Sequence, residues 1–180
     1  MPRLLPVVAA ISLWTAFLVA STSLSAMPEA IAHAGESASA APACTLLTTS
    51  AVRVIYGGRV SLAAHRTIGV FDSCEYATHV GNLNFLLTTT TLIAERGFKY
   101  GNAPAWFEQI RSTTPGRILP LTRLGDRALW SVGLRQLWVL KGATLFSLSQ
   151  FAPGNRTMAA LERAAGSVLA RLGGHRSGLS

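Results

Sequence analysis

The sequence predicts an α+β domain with a single antiparallel sheet of about five to six strands, on which a short N-terminal helix and a longer C-terminal helix pack. Three observations predict this class. Strand-like segments occur in two runs, a short helical segment separates the runs, and an amphipathic segment with helical spacing closes the chain. A length of 180 residues fits one domain rather than two.

The composition excludes several classes of protein. Hydrophobic residues make up 49% of the chain and charged residues only 13%, which excludes a chain that is disordered as a whole. Neither a collagen period nor a coiled-coil period is present. Two cysteines are too few for a disulfide-dense mini-protein or a cysteine-rich zinc module.

Residues 1–34 have the pattern of a secretory signal peptide. Arg3 gives a positive start, residues 4–20 are almost wholly apolar, and small residues follow them. Cleavage after Ala26 or after Ala34 fits this pattern. The alternative is an uncleaved anchor, because this run of 17 residues reaches the short limit of a membrane span, about 17–25 residues. We expect an exported protein, extracellular or in the periplasm or cell envelope, without a stable transmembrane span after cleavage.

The remaining chain divides into a lead-in, one domain and a tail. Residues 35–43 are rich in serine and alanine and predict a flexible lead-in. A single α+β domain is expected over 44–173, followed by a tail over 174–180.

The first half of the predicted domain is a helix followed by a hairpin. A capping threonine, a glycine pair and apolar residues at helical spacing predict a helix over 48–56. Residues 59–72 are mixed and fit either strand or loop. Alternation over 73–80 and an apolar, threonine-rich run over 83–92 predict two strands, which a turn at Gly81-Asn82 would join.

The second half predicts a short helix, three strands and a long helix. Pro104 favours the start of a helix over 105–111. Strand-like segments follow at 127–132, 134–140 and 143–151. The clearest element is an amphipathic helix over 156–172, with Thr157 as its cap and a glycine pair at its end.

The two cysteines predict a disulfide. Cys44 and Cys74 both follow the predicted signal peptide, and paired cysteines outside the cytosol usually oxidise. The alternatives are two free thiols or one catalytic thiol.

Several short motifs occur in a characteristic order. Residues 44–48 read Cys-Thr-Leu-Leu-Thr and residues 73–76 read Ser-Cys-Glu-Tyr. Residues 124–130 read Leu-Gly-Asp-Arg-Ala-Leu-Trp, and residues 137–142 read Leu-Trp-Val-Leu-Lys-Gly. This order resembles a group of small exported bacterial domains of unknown function, many of them actinobacterial lipoproteins. The resemblance covers about residues 44–172.

The resemblance implies an exported α+β domain in which the two cysteines are bridged, and it implies no defined activity. The chain departs from the group at two points. No lipobox precedes Cys44, so a lipid anchor is not expected here. Arg127 also makes the Leu-Gly-Asp turn more basic than is usual in the group.

Basic residues are concentrated in one part of the chain. The formal net charge is +8. Between residues 111 and 141 there are six bases and one acid, Asp126, which follows a glycine and is expected to fix a turn. The bases form a candidate anion-binding surface: Arg111, Arg117, Arg123, Arg127, Arg135 and Lys141. Expected partners are anionic envelope components or an envelope protein, and not nucleic acid. The alternative is a merely solubilising surface.

The sequence gives little indication of catalysis. It contains no Gly-x-Ser-x-Gly, His-Glu-x-x-His, Cys-x-x-Cys or P-loop motif. The acids are scattered, and Glu75 and His79 would lie about 13 Å apart on a strand, too far to share a metal ion. We therefore assign no catalytic residue, metal ligand or cofactor.

Three tryptophans suggest an apolar pocket as an alternative site. Trp106, Trp130 and Trp138 either line such a pocket or belong to the core. The leading interpretation is a non-enzymatic binding module that uses its basic surface. The alternatives are a carrier of an apolar small molecule and a hydrolase whose site is assembled from distant residues.

Overall fold

The structure of the protein is a computed structural model, which describes residues 43–151 and 157–174. The predicted signal peptide over 1–34 lies outside the described residues. So do residues 35–42 of the predicted lead-in and residues 175–180 of the predicted tail.

A seven-stranded antiparallel sheet forms the centre of the described part of the chain. Its strands are β1 (Val60–Ile68), β2 (Phe71–Thr78), β3 (Gly81–Thr89), β4 (Ile118–Leu121), β5 (Arg127–Ser131), β6 (Gln136–Lys141) and β7 (Thr144–Phe151). Their order across the sheet is β1-β2-β3-β7-β6-β5-β4. Two meanders therefore meet where β3 pairs with β7.

Five helices accompany the sheet within these described ranges. They are α1 (Ala43–Leu46), α2 (Thr49–Tyr56), α3 (Thr90–Glu95), α4 (Ala103–Thr113) and α5 (Thr157–Gly174). After β3 the chain passes through α3 and α4, reaches the far edge at β4, and returns strand by strand to β7.

The single antiparallel sheet with its N-terminal and C-terminal helices confirms the predicted fold class, but the predicted number of five to six strands is wrong. The two edge strands account for the difference. β1 is exposed along most of its length, so its sequence shows no clear apolar alternation. β4 has only four residues and contains Pro120, which an edge strand tolerates and which reads as a breaker in the sequence.

The larger core lies on the face of the sheet that α1, α2 and α5 cover. Tyr76, Phe85 and Phe146 project from adjacent strands and are almost fully buried. Leu161 and Val168 of α5 pack against the same cluster. Side chains alternate between the two faces of a strand, so the residues between these ones face the opposite way.

A smaller core lies on the opposite face, under α3 and α4. Leu140 and Leu145 of the sheet contact Ile93 of α3 together with Phe107 and Ile110 of α4. The domain therefore has helices on both faces of its sheet, whereas the sequence predicted only the N-terminal and C-terminal helices as the packing partners.

Side-chain caps explain where α2 and α4 begin. Thr48 accepts a hydrogen bond from the Ala51 N–H at 3.3 Å at the start of α2. Asn102 does the same for the Ala105 N–H at 2.8 Å at the start of α4, where Pro104 occupies the first turn. Over residues 43–151 and 157–174, we find no helix with the length and apolar character needed to cross a membrane.

The predicted position of the β2–β3 turn is wrong by two residues. Thr78 pairs with Gly81, so His79 and Val80 form the turn and Asn82 already belongs to β3. The Thr78 hydroxyl donates to the Gly81 carbonyl at 2.6 Å, which fixes this arrangement. The predicted strand over 83–92 ends at Thr89, whose side chain caps α3 by accepting from the Leu92 N–H.

Candidate functional site

The predicted disulfide is present. Cys44 of α1 is bonded to Cys74 of β2. The alternatives of two free thiols or one catalytic thiol therefore do not apply to this state. Cys74 is fully buried among core residues, whereas Cys44 is only partly buried.

The predicted basic surface divides into two groups. Arg127 begins β5 and pairs with Leu140 in the ladder, so it lies at the same end of the sheet as Lys141 and the turn that carries Arg123. Arg111 joins this group through α4.

The second group lies at the other end of β5, about 13 Å away at the rise of a strand. The Arg117 carbonyl accepts from the Val132 N–H just beyond Ser131, where β5 ends. Arg135 lies in the turn between β5 and β6, and its guanidinium donates to the Thr157 hydroxyl at 2.9 Å. The six bases therefore do not form one continuous surface.

A carboxylate organises the first group. Glu108 of α4 forms ion pairs with both Arg111, at 2.8 Å, and Arg127. The hydrogen bond from Arg111 is the main reason why the pKa of the Glu108 carboxyl lies below its usual range. Two guanidinium groups share one carboxylate, so the cluster keeps one excess positive charge.

A groove of about 560 Å³ runs beside this cluster, between α4 and the β4–β5 edge of the sheet. Its lining combines an apolar floor with a charged rim: Phe107, Glu108, Arg111, Ile118, Pro120, Leu121, Asp126, Arg127, Ala128 and Leu129. The Arg127 guanidinium lies 4.9 Å from the centre of the Phe107 ring, a cation–π contact that links rim to floor. This volume suits a small-molecule ligand.

Two acids, Glu108 and Asp126, line the groove, and a hydrolase site assembled from distant residues would need at least two such groups in one cleft. Glu108 is held by two arginines, and its lowered pKa is the opposite of what a general acid needs. Asp126 is paired with Lys141 at 2.7 Å and accepts from the Gly142 N–H at 2.6 Å. This arrangement suits ligand binding better than acid–base chemistry.

The three tryptophans do not line one pocket. Trp130 belongs to the larger core, whereas Trp106 and Trp138 pack against the smaller core on the opposite face of the sheet. Trp106 stacks on Tyr100, with ring centres 4.6 Å apart, and forms an edge contact with Phe98. Alternation along β5 and β6 places Trp130 and Trp138 on opposite faces of the sheet, so the structure does not bring the three rings together.

A second cluster surrounds the disulfide. A ring nitrogen of His65 and the sulfurs of Cys44 and Cys74 lie within 4.8 Å of one another. His65 Nε2 lies 2.8 Å from an oxygen of Asp72. Both sulfurs belong to the disulfide and are not thiolates, so this cluster does not present a metal site in its oxidised state.

The residues that organise these two clusters were not predicted from the sequence. One sequence feature could have predicted the role of Glu108. It precedes Arg111 by three residues on a helix, and side chains at this spacing lie next to each other. No sequence signal pointed to Asp72 and His65, because residues 59–72 fit either strand or loop and their register cannot be read from the sequence.

Comparisons with known proteins add little. No protein-family model matches the chain, and no curated protein is similar to it at a significant level. One similar solved structure is a GTP-binding regulator from Thermotoga maritima. It has 10% sequence identity and a TM-score of 0.41, over 67% of this chain and 87% of that one. A likeness of this degree carries no argument about this chain.

Proposed function

We propose that the protein is an exported, non-enzymatic binding module whose ligand is an amphipathic anion held in the groove between α4 and β4–β5. The observation that carries the proposal is the position of Arg111 and Arg127 on the rim of an apolar groove. Guanidinium groups bind phosphate and carboxylate through paired hydrogen bonds.

The two parts of the ligand would occupy different parts of the groove. An alkyl chain fits against Phe107, Ile118 and Leu129 on the floor. The anionic head fits between the guanidinium groups, where it competes with the Glu108 carboxylate. Arg123 and Lys141, at the same end of the sheet, add to the local positive potential.

The proposed export rests on the signal-peptide pattern of residues 1–34. The disulfide is compatible with an oxidising compartment. Intact mass of the protein recovered from the exported fraction of its host tests this part. We expect an amino terminus at Met27 or Gly35. A chain that still begins at Met1 would overturn the cleavage.

Dodecyl phosphate, kept below its micelle concentration, is a suitable probe of the groove. We expect saturable binding by calorimetry that weakens as salt is added, because part of the attraction is between charges. Dodecyl trimethylammonium has the same chain and the opposite charge, and we expect it to bind much more weakly.

An Arg127→Gln variant locates the site, and Arg53→Gln is its matched control on α2, across the sheet. A hydrogen bond to a charged group contributes about 1.5–3 kcal/mol, so Arg127→Gln should lower the affinity for dodecyl phosphate roughly 10- to 100-fold. Arg53→Gln should leave it unchanged. Equal affinities for the wild type and Arg127→Gln would exclude the groove as the site.

A further inference from the structure

The two cysteines of the disulfide differ in burial. Cys44 is only partly buried on α1, whereas Cys74 is fully buried on β2 beside Phe85, its ladder partner on β3. An external nucleophile therefore reaches the sulfur of Cys44 more easily, and the sulfur of Cys74 is then the leaving group.

His65 is placed beside both sulfurs by the sheet register. It lies directly opposite Cys74 in the β1–β2 ladder, and one of its ring nitrogens is within 4.8 Å of each sulfur. The His65 side chain is 43% exposed, so a small molecule that approaches Cys44 from solvent also meets the imidazole.

Asp72 fixes the orientation of His65. Nε2 of His65 lies 2.8 Å from Oδ1 of Asp72, and the Thr67 hydroxyl donates to the same oxygen at 3.3 Å. The Asp72 carboxylate is only 14% exposed. In the neutral ring, a proton on Nε2 donated to this carboxylate leaves Nδ1 as a proton acceptor. The carboxylate thus selects the tautomer that can take a proton.

The segment that carries Cys44 is held independently of the disulfide. Oδ2 of Asp72 accepts from the Ala43 N–H at 2.6 Å, and Arg171 of α5 donates to the Thr45 carbonyl at 2.7 Å. Leu46 and Leu47 are buried in the core. Breaking the sulfur–sulfur bond therefore leaves Cys44 close to Cys74, so that the bond can form again.

We propose that the Cys44–Cys74 disulfide is a site of thiol–disulfide exchange with small external thiols, in which His65 carries the proton and Asp72 orients His65. The proposal does not depend on the anion groove, which lies at the opposite edge of the sheet.

The exchange balances without an oxidant beyond the disulfide itself. The incoming thiol gives its proton to His65 Nδ1, and its sulfur attacks Sγ of Cys44. The new sulfur–sulfur bond forms as the Cys44–Cys74 bond breaks, and Sγ of Cys74 takes the electron pair and then the proton from His65. The products are a mixed disulfide on Cys44 and a thiol at Cys74. In the reverse direction, Cys74 expels the external thiol.

Reduced glutathione is the probe for this proposal. Its thiol is mostly protonated at neutral pH, since an ordinary cysteine thiol has a pKa of about 8.5. It is mixed with the native, disulfide-bonded protein, the reaction is stopped with acid, and intact mass and peptide mapping follow the adduct. We expect an adduct that carries a single glutathione, on Cys44.

His65→Gln is the informative variant, because glutamine can still donate to Asp72 but cannot take the proton. We expect its adduct to form about 10²-fold more slowly than in the wild type, the lower end for general acid–base assistance. His79→Gln is the matched control, since His79 lies in the β2–β3 turn. It should react at the wild-type rate.

The direction of the change separates proton transfer from a structural effect. If His65 only held β1 in place, its loss would loosen the region and raise the rate. A second thiol tests the same point. 4-Mercaptophenylacetate, used at a pH where it is fully ionised, needs no base and should react equally with the wild type and His65→Gln. An adduct on Cys74, or equal glutathione rates for the wild type and His65→Gln, would overturn the proposal.

Discussion

The backbone N–H of Asp126 donates to the carbonyl oxygen of Leu140 at 2.8 Å, which ties the β4–β5 turn directly to β6. The Asp126 side chain extends this link to the next turn, where it accepts from the Gly142 N–H at 2.6 Å. One backbone hydrogen bond and one side-chain hydrogen bond of Asp126 therefore fix the turn beside the proposed groove.

Gly125 is expected to tolerate no side chain at this turn. Its φ is +63°, and an added Cβ would lie 2.4 Å from the Leu140 carbonyl oxygen. Gly125→Ala should lower the free energy of unfolding by at least about 2 kcal/mol, because backbone strain and overpacking add. Urea unfolding measures the effect.

Gly116→Ala is the control for this prediction. Gly116 also has positive φ, +84°, but nothing lies within 4 Å of its added Cβ. It should show only the conformational strain, about 1–2 kcal/mol. If both variants lose the same free energy of unfolding, the contact with the Leu140 carbonyl adds no destabilisation to that of the backbone strain.

Removing the disulfide should destabilise the domain without preventing its folding. The bridge joins residues 30 apart in sequence, and closing such a loop contributes about 3–4 kcal/mol in the chain-entropy treatment. The double variant Cys44→Ala with Cys74→Ala should lose roughly this amount in urea unfolding. It should keep its far-UV spectrum, because Asp72 and Arg171 still hold α1. Complete unfolding of the variant in buffer would contradict this account of α1.

Local sequence signals predicted two of the helices. Thr48 caps the first of them, whereas Thr157, the predicted cap of the last helix, is the first residue of α5. The helix over 48–56 corresponds to α2, and the helix over 156–172 corresponds to α5. The disulfide was also predicted correctly. The two helices could be predicted from the spacing of apolar residues that are near in sequence. The disulfide could be predicted because the chain has only two cysteines.

The features that depend on register could not be predicted in the same way. The meeting of His65 with Cys74 depends on the pairing of β1 with β2, and β1 lacks an apolar alternation because it is an exposed edge. The division of the basic surface has the same origin. Arg117 and Arg123 are close in sequence, yet β4 carries them to opposite ends of the sheet.

Tyr76 is expected to make the domain less stable in alkaline solution. It is fully buried, its hydroxyl donates to the Leu47 carbonyl, and burial raises its pKa to about 12 from the ordinary value of 10.0. The folded state therefore keeps this proton at pH values where the unfolded chain loses it. The stabilisation is complete below pH 10 and is lost as pH rises from about 10 to 12, by about 3 kcal/mol in total.

Tyr76→Phe tests this prediction. The variant leaves the Leu47 carbonyl without its donor, so we expect a loss of about 1–3 kcal/mol at neutral pH. Its stability should then fall less steeply than that of the wild type between pH 10 and 12, as measured by urea unfolding at several pH values. Tyr56 contributes in the same direction in both proteins, because burial raises its pKa as well. Parallel pH profiles for the two proteins would show that Tyr76 is not the titrating group.

Glu108 is expected to compete with the anion in the proposed groove. Its carboxylate occupies the guanidinium groups of Arg111 and Arg127, which an anionic head would have to share or displace. Glu108→Gln removes the competing charge and keeps a hydrogen-bond acceptor. The affinity for dodecyl phosphate should therefore rise by up to about tenfold, the equivalent of about 1.4 kcal/mol.

The matched control for this variant is Glu162→Gln, on α5 and across the sheet from the groove. It makes the same change in net charge, so it reports the effect of overall charge alone. Because the ion pairs of Glu108 are exposed, neither variant should change the free energy of unfolding by more than about 0.5 kcal/mol. A gain in affinity for Glu108→Gln alone locates the competition in the groove. Equal gains in affinity for both variants would mean that the effect comes from the net charge of the protein. A lower affinity for Glu108→Gln would mean that Glu108 holds the two arginines in the geometry that binds the anion.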